Sequence, residues 1–155
     1  ASASLATVNS LTKDKIAAQA KAEEEDSLKQ VLPQASVFEP VTRGEDVLYY
    51  KARDKGKQLI GICFKASQKG YSSIIQTIVG MLRDGTITAI KVVSHNETPG
   101  LGAKITDEPF SGQFKNKKDL SGVSAIAGAT ISSRAVIDSV KVKAKEFQDL
   151  IKNEK

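Results

Sequence analysis

Thr130 is the residue whose neighbours most invite chemistry. It stands in IAGATISSRAVID, residues 126–138, behind Gly128 and Ala129 and ahead of Ser132 and Ser133. The apolar-periodic run that follows predicts a helix from about Ser132. The first N–H groups of such a helix have no intrahelical partner, and with the positive end of the helix dipole they form an anion site. Gly128 and Ala129 carry almost no side chain, so a planar ligand has room to approach the backbone. A phosphoester on Thr130 would set its oxygens against the N–H groups of Ile131, Ser132 and Ser133 and against the two serine hydroxyls. The plain alternative is that Ser132 caps the helix and Gly128 makes a turn.

A second segment, SHNETPGLGAK at 94–104, has the composition of a ligand clamp. Pro99-Gly100 suits the central positions of a type II turn, where glycine supplies positive φ. Gly102 adds a place for close backbone approach, Leu101 an apolar cover for a ring, and Glu97 and Thr98 hydrogen-bonding groups. The alternative here is an ordinary glycine-bearing loop. Gly100-Leu101-Gly102 lacks the third glycine and the strand–helix setting of a dinucleotide fingerprint. His95 is the single histidine and Cys63 the single cysteine. They form no nucleophilic triad, no Cys/His metal cluster and no internal disulfide. No catalytic residue and no metal ligand are therefore expected. Cys63 lies in LIGICFKA, a strand-like run in which a free cysteine serves as a small buried hydrophobe.

These segments need a scaffold. The 155 residues suit one domain with its own core, and 40% hydrophobic against 26% charged residues is a globular balance. The net charge of +5 does not point to nucleic acid, because the lysines are scattered and aromatics make up only 5% with no Trp. No run of 18 apolar residues is present to span a membrane.

Residues 11–33 predict a helix with Thr12 as N-cap and Asp14 in its first turn. Ile16, Ala20, Leu28 and Val31/Leu32 form its apolar side, and Pro33 ends it. VLYYKARDKGKQLIGICFKAS predicts two strands around a Lys55-Gly56 turn. The stretch from Gly70 to Glu97 predicts a second hairpin turning at Asp84-Gly85, with one face buried and the other partly wet. DEPFSGQF suits one or two helical turns, with Pro109 in the first. Ile137, Val140, Ala144, Phe147 and Ile151 recur at spacings of 3 and 4, one apolar stripe on a terminal helix. The expected fold is α+β: an antiparallel sheet of two hairpins packed with an N-terminal and a C-terminal helix.

HNETPGLGAKI, followed by F and QF, then SAIAGATISSRAV and a terminal helix, resembles the FMN-binding domain of the G subunit of Rnf electron-transport complexes. The C subunit of the sodium-translocating NADH:quinone reductase is similar. The likeness covers nearly the whole chain, including TVNSLTKDKIA and GYSSIIQTIVGMLRDGTITAIKVV.

The resemblance implies FMN attached through its phosphate to a threonine, at the position of Thr130. Gly128, Ala129, Ile131, Ser132 and Ser133 would surround the phosphate, and Glu97, Thr98, Leu101 and Gly102 would line the ring or ribityl chain. It implies a separate flavin transferase that uses FAD as donor. It also implies an electron-transfer subunit, without turnover of its own, among the other subunits of a membrane-bound ion-translocating oxidoreductase. Residues 1–33 would follow a membrane helix and 34–155 would form the FMN-binding domain, one globular unit with 1–33. The anchor would be a single pass in the bacterial inner membrane, with the domain outside the cytoplasm. Two positions depart from the family pattern: Ser124 stands where an aspartate is usual, and Ala127 where Ser or Thr is usual. They keep two other readings open: a flavin-free assembly module of the same fold, and a domain that binds FMN without a covalent bond.

Overall fold

The protein is described by a computed structural model over residues 18–153, Ala20 excepted. Thr12, Asp14, Ile16 and Ala20 therefore lie outside the described residues. Helix α1 runs over residues 18–19 and 21–31. Five strands follow: β1 (Val37–Arg43), β2 (Asp46–Arg53), β3 (Leu59–Lys69), β4 (Ile74–Leu82) and β5 (Ile87–Ser94). After them come a 3-10 turn at Gly102–Thr106, the short helix α2 (Glu108–Ser111), a 3-10 turn at Gly112–Phe114 and the long helix α3 (Thr130–Lys152). The strands pair antiparallel in chain order, an up-and-down sheet. The α+β expectation holds, with one more strand than two hairpins supply.

That extra strand is β1. It contains Pro40, which has no N–H to give to a ladder, and it sits at the sheet edge where such a residue is tolerated. At the β2–β3 turn, positive φ falls on Lys57 (62°) rather than on Gly56. At the β4–β5 turn, Gly85 takes φ 90° and Asp84 accepts the Thr86 N–H at 2.9 Å, the geometry that Asp-Gly predicts.

Helix α3 lies on one face of β3 and β4. Ile137, Val140, Phe147 and Ile151 are buried there and Ala144 packs against them, so the periodic stripe is the contact face. Phe147 stacks on Phe64 with centroids 4.8 Å apart and meets Tyr49 edge-on at 5.3 Å. Burial of each such side chain contributes about 1.5–3 kcal/mol. Ile105, Phe110, Phe114 and Leu120 join the same core and press the short helical segments onto the sheet beside α3.

The opposite face is not the partly wet surface that its polar residues predict. Leu28 and Val31 of α1, with Leu32 just after it, cover it, over Ala52, Cys63 and Ile78. Thr88, a solvent-facing position by its type, is buried, and its hydroxyl donates to the Val31 carbonyl at the end of α1. Gly80 permits this approach: a Cβ there would lie 2.5 Å from the Val31 carbonyl oxygen. Cys63 is fully buried, and burial pushes its thiol up to about 12. It is a packing residue, unreactive as a thiolate.

Candidate functional site

Three segments meet at the start of α3. The first is the helix itself, which begins two residues earlier than its serines predict. Thr130 is its first residue and is exposed; Ala129 is the N-cap, with no side-chain cap hydrogen bond. The Ser133 N–H bonds to the Ala129 carbonyl at 3.0 Å. The donors of the open first turn are thus the N–H groups of Thr130, Ile131 and Ser132, one position earlier than the sequence predicts. Gly128 takes φ 81°, and the Ala129 N–H closes a turn onto the Ile126 carbonyl at 3.0 Å. Only glycine holds that conformation without strain.

The second segment is the loop after β5. The Leu101 N–H reaches the Thr98 carbonyl at 3.3 Å and Gly100 takes φ 78°, so Thr98–Leu101 is the type II turn that Pro99-Gly100 predicts. This turn faces the helix: Leu101 Cδ2 lies 3.6 Å from where a Gly128 Cβ would be. A Cβ on Gly102 would lie 2.8 Å from Glu97 Cβ and 3.2 Å from Ser132 Oγ, which leaves no room for a side chain.

The third segment is the β3–β4 turn, residues 70–73, which the sequence pattern places at the opening of a strand. It brings in Tyr71. With Tyr71, the residues Thr98, Leu101, Gly102 and Gly128 to Ser132 line one cleft of about 480 Å³. That is within the roughly 300–1,000 Å³ of small-molecule sites. Another depression, of about 410 Å³, lies between α1 and the sheet. Its walls include the Glu24–Lys65 ion pair at 2.6 Å and no exposed hydroxyl beside a helix start.

Of the residues assigned to the ligand from sequence, Glu97 and Ser133 lie behind the cleft and Ser132 lines it with its hydroxyl engaged elsewhere. Glu97 does not line the cleft; it is 5% exposed, behind Gly102. Its carboxylate accepts five hydrogen bonds: Oε1 from the Ser72 N–H, the Ser73 N–H and the Ser73 hydroxyl, Oε2 from the Tyr71 N–H and the Ser132 hydroxyl. Burial drives its carboxyl up, and the hydrogen bonds from Ser132, Ser73 and Ser72 more than offset this, so it titrates below the ordinary carboxylate range. The Ser132 hydroxyl is committed to Glu97, although its residue borders the cleft. Ser133 is fully buried, donates to the Ala129 carbonyl at 2.8 Å and accepts the Ile126 N–H at 3.0 Å. It fixes the loop before Thr130 and does not reach the cleft.

Ser124 is held by its backbone alone: Gln113 Nε2 donates to its carbonyl at 3.2 Å and its N–H donates to Gln113 Oε1 at 2.9 Å. Gln113 and Tyr71 are the residues that local sequence signals missed. The useful signal for Tyr71 was its turn, Gly70-Tyr71-Ser72-Ser73, which supplies the donors a buried Glu97 requires.

A family model described as FMN-binding domain matches residues 70–145, which span all three segments. The chain is 41% identical over 134 residues to the G subunit of the ion-translocating oxidoreductase complex of Methanosarcina acetivorans, covering 76% of this chain and 71% of that one. It is 35% identical over 127 residues to the G subunit of the proton-translocating ferredoxin:NAD(+) oxidoreductase complex of Clostridium ljungdahlii, covering 75% and 67%. In fold it is similar to Shewanella oneidensis NqrC, with a TM-score of 0.60 at 22% identity over 78% of this chain and 73% of that one. A cleft built from the helix start, the Pro-Gly turn and the Glu97-held turn thus lies within the matched domain, and the chain belongs to the family of G subunits of ion-translocating oxidoreductase complexes.

Proposed function

We propose that this chain carries FMN on Thr130, joined through the phosphate to Oγ, and passes electrons between other subunits of an Rnf-type complex. The observation that carries the reading is an exposed threonine at the first position of α3, opening on a cleft floored by Gly102 and Gly128. The residues fit the group. The N–H groups of Thr130, Ile131 and Ser132 lie where a phosphate charge is favoured, by about 0.3–1 kcal/mol. Leu101 and Ile131 offer exposed apolar surface beside it. When bound, FMN supplies redox chemistry that no side chain here possesses.

The chain's own part is to place and retain the group. A threonine hydroxyl is a weak nucleophile unaided, and the cleft holds no general base for Thr130. A separate flavin transferase supplies that activation: with FAD as donor, the pyrophosphate bond breaks, the Thr130 Oγ–phosphorus bond forms, AMP leaves and the hydroxyl proton goes to the transferase's base. The bond removes the dissociation equilibrium, so a cofactor facing bulk fluid is kept. The FMN-binding domain of this proposal is 34–155, and among the described residues α1 packs on its sheet. Among the described residues no helix is long and apolar enough to cross a membrane. A single-pass anchor preceding residue 1, with the domain outside the cytoplasm of a bacterial cell membrane, completes the proposal; an upstream reading frame of roughly 20 apolar residues is its check.

The test is co-expression with a flavin transferase and a denaturing gel viewed under ultraviolet light. A fluorescent band that disappears in Thr130→Ala is the expected result. A dark band from yellow protein means reversible FMN binding. A dark band from colourless protein means a flavin-free module.

A further inference from the structure

Tyr71 borders the cleft on the side contributed by the β3–β4 turn, yet it is 68% exposed. An aromatic side chain left this open beside a site contributes its face to what enters. Its backbone is not free to wander. The Tyr71 N–H donates to Glu97 Oε2 at 3.1 Å, and the next two N–H groups donate to Oε1 at 3.1 and 2.9 Å. The same Oε2 accepts the Ser132 hydroxyl from the first turn of α3. One carboxylate thus couples the turn bearing Tyr71 to the helix turn bearing Thr130, from the loop that bears Leu101. It is buried, and a group with fewer acceptors in its place would leave at least one of these donors unsatisfied.

We propose that Tyr71 is the stacking wall for the isoalloxazine ring of FMN, and that Glu97 is the positioning residue that holds this wall at a fixed separation from Thr130. This deepens the covalent-FMN reading and rests on it. Leu101 and Ile131 are apolar but not aromatic; Tyr71 is the aromatic residue among those lining the cleft. Offset stacking on a flat π-system is favourable for a flavin as for other aromatic pairs. A tyrosine stacked on a flavin also quenches its emission, by donating an electron to the excited ring, which gives a readout independent of electron passage between subunits.

The experiment uses the full chain loaded by co-expression with a flavin transferase, with the gel run first. On loaded protein, Tyr71→Leu raises flavin emission several-fold, and Tyr71→Trp, which keeps an electron-rich ring, leaves it quenched to within about a factor of two. Glu97→Gln raises emission as Tyr71→Leu does, and the double variant rises no further, a non-additivity that a general loss of stability does not produce. Should Glu97→Gln fail to fold by circular dichroism, Ser132→Ala removes one arm of the clamp and is expected to give a partial rise. Unchanged emission in Tyr71→Leu overturns the stacking wall. A further full rise in the double variant, or no rise in Ser132→Ala where that variant stands in, overturns the positioning role. If the wild-type band is dark, the covalent reading fails separately, and the wall is read by adding FMN to the apo-protein. Quenching lost in Tyr71→Leu then supports it, and equal quenching or no binding overturns it.

Discussion

Burial works against a charge on Glu97, and its hydrogen bonds more than offset that pull. Five donors hold the carboxylate, so its ionised form is part of the native structure. The sign of the pH dependence follows. Its folded pKa lies below the ordinary 4.5, so its stabilisation is fully present above that value and is lost as pH falls through the lowered one. Glu97→Gln is expected to cost about 2 kcal/mol near neutrality, the scale of leaving a buried donor unpaired. The gap to wild type should narrow in acid, measured by urea melts from pH 7 downward; a gap that stays constant into strong acid contradicts the charged clamp. Gly128→Ala forces a side chain into φ 81° and should cost about 1–2 kcal/mol by the same melts. The sequence points to Glu97 as a contact to the ring or ribityl chain because loop composition shows chemistry but not distance. Its partners lie 24 to 26 positions upstream and 35 downstream, and no local pattern reports such pairs. Gly100 and Gly128 were legible because a turn with positive φ is a local requirement.

At the scale of elements, α3 was the easiest to read and its start the hardest. The stripe from Ile137 to Ile151 repeats over four turns and meets the sheet as spaced. Ser132 and Ser133 look like caps because their type favours caps. In the structure their hydroxyls serve Glu97 and the preceding loop, and Ala129 takes the cap position without a cap hydrogen bond. That substitution is what leaves the helix start open beside Thr130. Strand β1 is not legible in the sequence because Pro40 at its centre argues against a strand and its apolar residues do not alternate, although Val37, Phe38, Val41 and Thr42 favour one. The covered second face escaped notice because Thr88 looks polar in sequence, and only α1 makes it interior. Thr88→Val removes the hydroxyl that meets the Val31 carbonyl, leaving that acceptor buried. A loss of about 1–2 kcal/mol is expected, with faster amide exchange at residues 28–32; unchanged exchange there would mean α1 does not depend on this bond. Phe147→Ala, at the centre of the aromatic stack, should cost about 3–5 kcal/mol.

Taken whole, the molecule is a sheet clad on both faces, with its exposed chemistry gathered at one end of α3. The fold stabilises itself with aliphatic and aromatic packing. It leaves Tyr71, Leu101 and Ile131 open around an exposed threonine. This arrangement suits a carrier that holds a redox group near the surface, where electrons can enter and leave without a bound substrate. The measurement that bears most directly on it is the peptide mass at residue 130, taken from full-length protein isolated from its own organism. The account predicts a gain of one FMN less one water, located by fragmentation on Thr130 and absent in Thr130→Ala. An unmodified peptide at that position in authentic protein would contradict it.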